Sequence, residues 1–204
     1  PVANVATATV PPTAGPTTPP TAAAATAQPP DKAPATIPTE DLIAQVQATV
    51  PEGAFSGGLV AMPLTVPEGA ERLWAVLSTG MLNYDLKPLP SHFIAIYTLK
   101  GDNWQELARL NLDSEEGGPG YVDERFSQQV NIEPSHIWFM VQGGMGAHGG
   151  SFQLVSFDGK ALTIEVSLMS DSPGMGSVSD IDDDGHLEVV LDKSDPYVFC
   201  YACG

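Results

Sequence analysis

The sequence predicts a mostly β protein made of antiparallel hairpin repeats, preceded by an extended Pro/Thr/Ala stalk and one short helix. Three observations carry this. From Leu73 onward, apolar runs of strand length alternate with Gly, Pro and Asp punctuation. The same order of runs and turns recurs at a spacing of about sixty residues. Residues 1–38, in contrast, are almost entirely Ala, Thr, Pro and Val, with Asp31 and Lys32 the only charges.

The stalk comes first in the chain. A segment so poor in large apolar side chains cannot bury enough surface to offset its ordering entropy, and its prolines favour extended backbone. Its Thr/Pro mixture is also the composition of O-glycosylated stalks. From Thr39 to Val50 the pattern turns helical, with apolar residues at 42, 43, 46 and 50. Thr39 stands as the expected N-cap, Glu40 and Asp41 suit the positive end of the helix dipole, and Pro51 stops the helix. This helix is expected to pack on the edge of the domain that follows.

Leu59–Met62 reads as a first strand, after Gly57-Gly58. Leu73–Leu77 is a continuous apolar run, closed by Ser78-Thr79-Gly80. His92–Leu99 and Trp104–Leu110 flank the turn around Gly101 and form a hairpin. The grammar then repeats. Ile137–Val141 answers the first run, with Trp138 sixty-four positions after Trp74. A glycine-rich stretch, Gly143 to Gly150 with His148 inside it, reads as a flexible connection. Phe152–Phe157 and Ala161–Val166 make a second hairpin around Gly159, fifty-eight positions after Gly101. Leu187–Leu191 and Tyr197–Tyr201 begin a third copy.

The predicted organisation is therefore a stalk over 1–38 and a β-repeat domain over 39–204. Repeat 1 runs from about 59 to 112, repeat 2 from about 121 to 168, and a partial repeat 3 from about 176 to 204. Hairpin repeats of this period suggest β-propeller blades, but a propeller closes only with four or more. The repeats are accordingly expected to form either an incomplete propeller within a longer protein or an open, compact β-repeat domain.

One loop carries ligand chemistry. Asp180-Ile181-Asp182-Asp183-Asp184-Gly185-His186-Leu187-Glu188 places carboxylates at relative positions 1, 3, 5 and 9, with glycine at 6. That set suits a hard cation taking six to eight oxygen ligands, foremost Ca2+. His186, at position 7, would offer its backbone carbonyl, and Asp183 would point to solvent. Without a cation, four convergent carboxylates would repel one another. An EF-hand is excluded because position 12, the bidentate glutamate of that loop, is Leu191. The competing reading is a solvated acidic turn ahead of a strand.

From Val178 to Leu191 the sequence resembles the calcium loop and following strand of FG-GAP or VCBS repeats, the blades of integrin-α-type propellers. Their pattern is Asp-x-Asp/Asn-x-Asp-Gly-x-x-Asp/Glu followed by an apolar strand. The resemblance implies Asp180, Asp182, Asp184 and Glu188 as side-chain ligands and His186 as a carbonyl ligand to one structural Ca2+. It also implies an exported, bacterial surface setting. The match covers about fourteen residues, and the other repeats depart from it: Val66, Glu68 and Ala70, then Val130, Ile132 and Pro134, stand at the acidic positions.

The net charge is −17, from 25 acidic against 8 basic residues. That balance excludes nucleic acid and anionic membrane surfaces as partners, since both demand basic patches. No apolar run is long enough to span a bilayer. The opening at Pro1 leaves room for an upstream signal or lipid anchor, which places the protein outside the cell or on its surface. Extracellular calcium is millimolar, enough to load a modest loop. Cys200 and Cys203 are the only cysteines, and in an exported chain their C-x-x-C spacing favours a local disulfide over a zinc half-site or a redox pair.

No nucleophile with an adjacent base, no Gly-x-Ser-x-Gly and no His-Glu-x-x-His stands out. The four histidines, His92, His136, His148 and His186, show no metal-ligand spacing. Trp74 and Trp138 fall in apolar runs and are expected in the core. The sequence thus leads to a non-catalytic surface or envelope protein, structural, adhesive or ligand-binding, with an unidentified protein or glycan partner. The alternatives are the N-terminal part of an extracellular enzyme, a Cys-x-x-Cys redox or metal protein, and a subunit of an extracellular filament or envelope complex.

Overall fold

The computed structural model describes residues 39–66, 70–113, 119–145, 149–170, 176–183 and 187–190. The predicted stalk, Cys200 and Cys203, and the strand expected at Tyr197–Tyr201 lie outside these residues.

Helix α1 spans Glu40–Gln47. Leu42 and Val46, one turn apart, put a narrow apolar stripe on one side, and both are fully buried. Thr39 holds the N-cap position, yet its side chain makes no cap bond. Its carbonyl instead accepts the Ile43 N–H at 2.9 Å.

The strands form two similar units. In the first, β1 (Gly58–Pro63), β2 (Leu73–Met81), β3 (Phe93–Lys100) and β4 (Asn103–Asn111) pair antiparallel in sequence. Between the units stands a two-residue strand, β5 (Tyr121–Val122). In the second, β6 (Gln128–Val130), β7 (Ile137–Met145), β8 (Gly149–Phe157) and β9 (Leu162–Ser170) repeat the arrangement. The repetition extends to irregularities: the β3–β4 register shifts between Ile96 and Tyr97, and the β8–β9 register between Leu154 and Val155. Both hairpins also turn on a left-handed glycine, Gly101 at φ +61 and Gly159 at φ +93. Each shift lies the same four residues ahead of its turn glycine, counted from Tyr97 to Gly101 and from Val155 to Gly159, and a bulge bends the strand that carries it. The sheet curls into a half-barrel, and β4 and β9, its two ends, come into contact.

Propeller blades are separate sheets packed face to face. Here the units join edge to edge, because β5 pairs on one side with β2 (Gly80↔Val122, Met81↔Tyr121) and on the other with β7 (Tyr121↔Gly144, Val122↔Gly143). The strand order is β4-β3-β2-β5-β7-β8-β9, with β1 beside β2 and β6 beside β7. Of the two arrangements the sequence left open, the protein has the open β-repeat domain. Gln129 fastens the remaining gap: its amide donates to the Thr65 carbonyl and accepts the Thr65 N–H, each at 2.8 Å, as a strand neighbour would.

Of the glycine-rich stretch, residues 146–148, His148 among them, lie outside the described residues, and the glycines on either side are strand and not connection. Gly143 and Gly144 belong to β7, Gly149 and Gly150 to β8, and they continue the ladder through Gly144↔Gly150 and Met145↔Gly149. The reason is β5: a Cβ on Gly143 would sit 1.8 Å from the Tyr121 carbonyl oxygen. Only a bare backbone admits that crossing.

Three apolar clusters follow from the curl. The concave interior is shared by both units and holds Leu77, Ile94, Ile96, Val122, Phe139 and Phe157. On the outer face of the first unit, Trp74, Val76, Phe93 and Tyr97 pack beneath Leu42 and Val46 of α1. Trp74 meets Trp104 edge-on at 4.9 Å. On the outer face of the second unit, Met140, Phe152 and Leu154 gather Trp138, Val178 and Val189 around them. Both faces being covered, the strands read as continuous apolar runs rather than alternating ones. Trp74 packs in the core as expected, and Trp138 is half-buried against the second unit's outer cluster.

Candidate metal centre

The acidic loop closes a short hairpin of its own, β10 (Ser177–Ser179) and β11 (Glu188–Val190), paired Ser177↔Val190, Val178↔Val189 and Ser179↔Glu188. Strands of three residues have little stability alone. Tertiary contacts hold these. Val178 and Val189 are the half-buried pair that touches the second unit's outer cluster. Just ahead of β10, the buried Gln142 donates its amide to the Gly176 carbonyl at 2.9 Å. Gly176 lies so close to Phe152 that a Cβ there would come within 2.4 Å of the ring. The loop is thus carried on the outer face of the second unit, as α1 is carried on that of the first.

At the tip, the hairpin brings Asp180, Asp182 and Glu188 together, with one carboxylate oxygen from each lying within 4.8 Å of the others. Asp180 and Glu188 are half-buried and Asp182 is exposed. Glu188 Oε2 also accepts the Ile181 N–H at 2.8 Å, which fixes that carboxylate across the loop. Asp183 is exposed and left-handed, at φ +59, so the chain reverses there with its side chain outside the cluster. Asp184, Gly185 and His186 lie outside the described residues. Three carboxylates at this separation offer hard oxygen donors to a divalent cation.

Two other polar clusters stand apart from the loop. Asp123, 4 % exposed, receives Arg125 Nε at 2.9 Å and Nη2 at 2.6 Å, and the Tyr121 hydroxyl at 3.1 Å. The guanidinium bonds hold its carboxyl down at about 2. Beneath the C-terminal end of α1, Tyr97 donates to Glu106, and Arg109 bridges both while stacking 4.4 Å above Phe93. Burial first, then the bond to Glu106, pushes the Tyr97 phenol up to about 12.

His92 is the one fully buried histidine among the described residues. Its Nδ1 lies 3.2 Å from Ser78 Oγ, and its ring stacks on Phe55 at 5.3 Å. With Asp113 nearby, these residue types are those of a nucleophile–base pair, but Ser78 and His92 are both wholly enclosed, so no substrate reaches them. Burial lowers the imidazole pKa, opposed by the Asp113 charge and by the backbone of Ser78 and Gly120. The folded state therefore binds fewer protons here than the unfolded chain. Stability from this site is complete above the unfolded value of 6.5 and is lost as pH falls through the lower folded value. Urea midpoints are expected to drop between neutral pH and pH about 5, and His92→Gln is expected to flatten that slope. An unchanged slope in the variant would assign the acid sensitivity elsewhere.

His136 bonds Glu133 at 2.9 Å on the surface. Sequence reasoning missed three glutamines that position everything else, Gln129, Gln142 and Gln153, whose amides each reach a backbone carbonyl in another segment. Their only signal is a polar amide within or beside a strand, which is too common to read alone. Comparisons with protein-family models, curated proteins and solved structures gave no match to this chain.

Proposed function

We propose that this chain is the β-repeat domain of a non-catalytic, exported surface or envelope protein, in which one calcium ion holds the β10–β11 hairpin against the sheet. The reading keeps the FG-GAP/VCBS likeness for the calcium loop alone, carried here on a continuous sheet, and includes a protein or glycan partner. The observation that supports it is the convergence of Asp180, Asp182 and Glu188 at the tip of a hairpin too short to stand without help. A cation there would relieve repulsion among the carboxylates and tie β10 to β11 at the end opposite Gly176. Asp184 and the His186 carbonyl would complete the ligand set. Such an ion would be structural, since the hairpin caps an outer apolar cluster.

A ligand that binds only the folded state stabilises it by about 2.7 kcal/mol at a hundredfold excess over its dissociation constant. In a domain of this size that raises the melting temperature by roughly 5–10 °C. Scanning calorimetry with millimolar calcium and with EDTA is expected to differ by this amount, and Asp182→Ala is expected to abolish the difference. Identical melting curves in all four conditions would remove the calcium claim.

A further inference from the structure

A cleft of about 440 Å3 opens where the chain leaving β1, at Thr65 and Val66, passes the β6–β7 connection over 131–136. That volume falls within the roughly 300–1,000 Å3 of sites that take small molecules. Its walls are mainly apolar, with Val66, Ile132, Pro134 and the first residue of β7, Ile137, as the surfaces a ligand would meet. Val66 and Ile137 pack against the concave interior and Ile132 against the second unit's outer cluster, so the cleft lies between the two. All four side chains keep part of their surface in water, which a ligand with an apolar body would cover. Gln129 closes one end, and both of its amide atoms are committed to Thr65.

The ionisable groups stand at the rim, within reach of solvent. The Glu133 side chain is 48 % exposed and that of His136 34 %. His136 Nδ1 lies 2.9 Å from Glu133 Oε1, which engages one oxygen of the carboxylate and holds it in place. The other oxygen, Oε2, has no hydrogen-bond partner among the described residues.

The charges decide what kind of molecule fits. No lysine or arginine lines the cleft, and the whole chain carries −17, so a carboxylate or phosphate would be repelled. A hard metal ion needs several oxygen ligands, and Glu133 is the only carboxylate in the lining. A neutral head group would gain a hydrogen bond to Oε2 and nothing from its charge. An ammonium group gains both.

We propose that this cleft binds a small organic amine, a molecule with one compact apolar body against Val66, Ile132 and Ile137 and one ammonium group on Glu133. The site goes beyond the reading above, and no residue of its lining belongs to β10 or β11.

The test is an NMR titration of the 15N,13C-labelled chain with cyclohexylmethylamine, cyclohexylmethanol and cyclohexanecarboxylate, which share a ring and differ in the head group. At pH 8 an alkylamine is charged. The amine is expected to shift the Ile132 and Ile137 methyl signals and the Gln129 side-chain amide saturably in the millimolar range. It should bind roughly two- to fivefold more tightly than the alcohol, the contribution of one exposed ion pair, and the carboxylate should bind weakest. Glu133→Gln removes one of 25 acidic residues, so a diffuse attraction of amines to an acidic chain would survive it. In that variant the amine is instead expected to fall to the affinity of the alcohol, whose own binding stays as it was. No saturable shift with either the amine or the alcohol, binding of the carboxylate as tight as that of the amine, or an amine preference that persists in Glu133→Gln would each overturn the proposal.

Discussion

Gly143→Ala is expected to cost about 3 kcal/mol or more, an overpacking penalty at the upper end because the obstacle is backbone. The added methyl would lie 1.8 Å from the Tyr121 carbonyl oxygen and 2.8 Å from its carbon. A flexible side chain could swing aside, but Tyr121 cannot. It sits in β5, whose other edge is paired with Gly80 and Met81 of β2, so moving it away from β7 strips β2 as well. The expected result is a chain weakened at the one ladder that links the two units among the described residues. The control is Gly101→Ala, where nothing lies within 4 Å of the new methyl and only the left-handed φ of +61 is penalised, at about 1–2 kcal/mol. Urea denaturation of both variants makes the comparison. Equal losses would mean that β5 is not the joint between the units.

Phe139→Ala tests whether the units fold as one. Phe139 is 2 % exposed on the concave side of β7, where it shares a cluster with Leu77 of β2 and with Ile94 and Ile96 of β3. Truncating a buried phenylalanine costs about 3–5 kcal/mol. In a stacked array, where each repeat holds its own core, that loss would stay largely in the second unit. Here it should be felt in both. With Trp138→Phe in the background, the remaining fluorescence comes from Trp74 and Trp104, which pack together in the first unit. The denaturation midpoint seen by those tryptophans is expected to fall by the full amount, coincident with loss of β-structure by circular dichroism. A first-unit transition that stays where it was would show two independently stable halves.

The long strands were legible because each is a continuous apolar run ended by turn residues. Leu73–Leu77, His92–Leu99 and Ile137–Val141 match β2, β3 and β7 to within a residue at their starts. So were both hairpin turns, since Gly101 and Gly159 take the left-handed backbone that glycine supplies most readily. Helix α1 was legible from the spacing of Leu42 and Val46. The carboxylates at Asp180, Asp182 and Glu188 were legible as a group because a nine-residue loop confines them, whatever the rest of the fold does. Strands β5 and β6 were not, for two or three residues show no period. Gly143 and Gly144 pointed the wrong way, because glycine in a strand and glycine in a loop are the same letter. What separates them is a carbonyl from β5, more than twenty positions earlier in sequence.

The sequence by itself determined which segments become strands, where the hairpins turn, that they repeat, and which carboxylates lie near one another. Those properties depend on neighbours a few residues apart. Only the tertiary structure decided that the repeats join edge to edge through Tyr121 and Val122 and do not stack face to face. It also decided that the acidic hairpin rests on Met140, Phe152 and Leu154, and that Val66, Ile132, Glu133 and Ile137 line one cleft. Each of these depends on long-range pairing and on the curl of the sheet, and neither leaves a periodic trace in the chain.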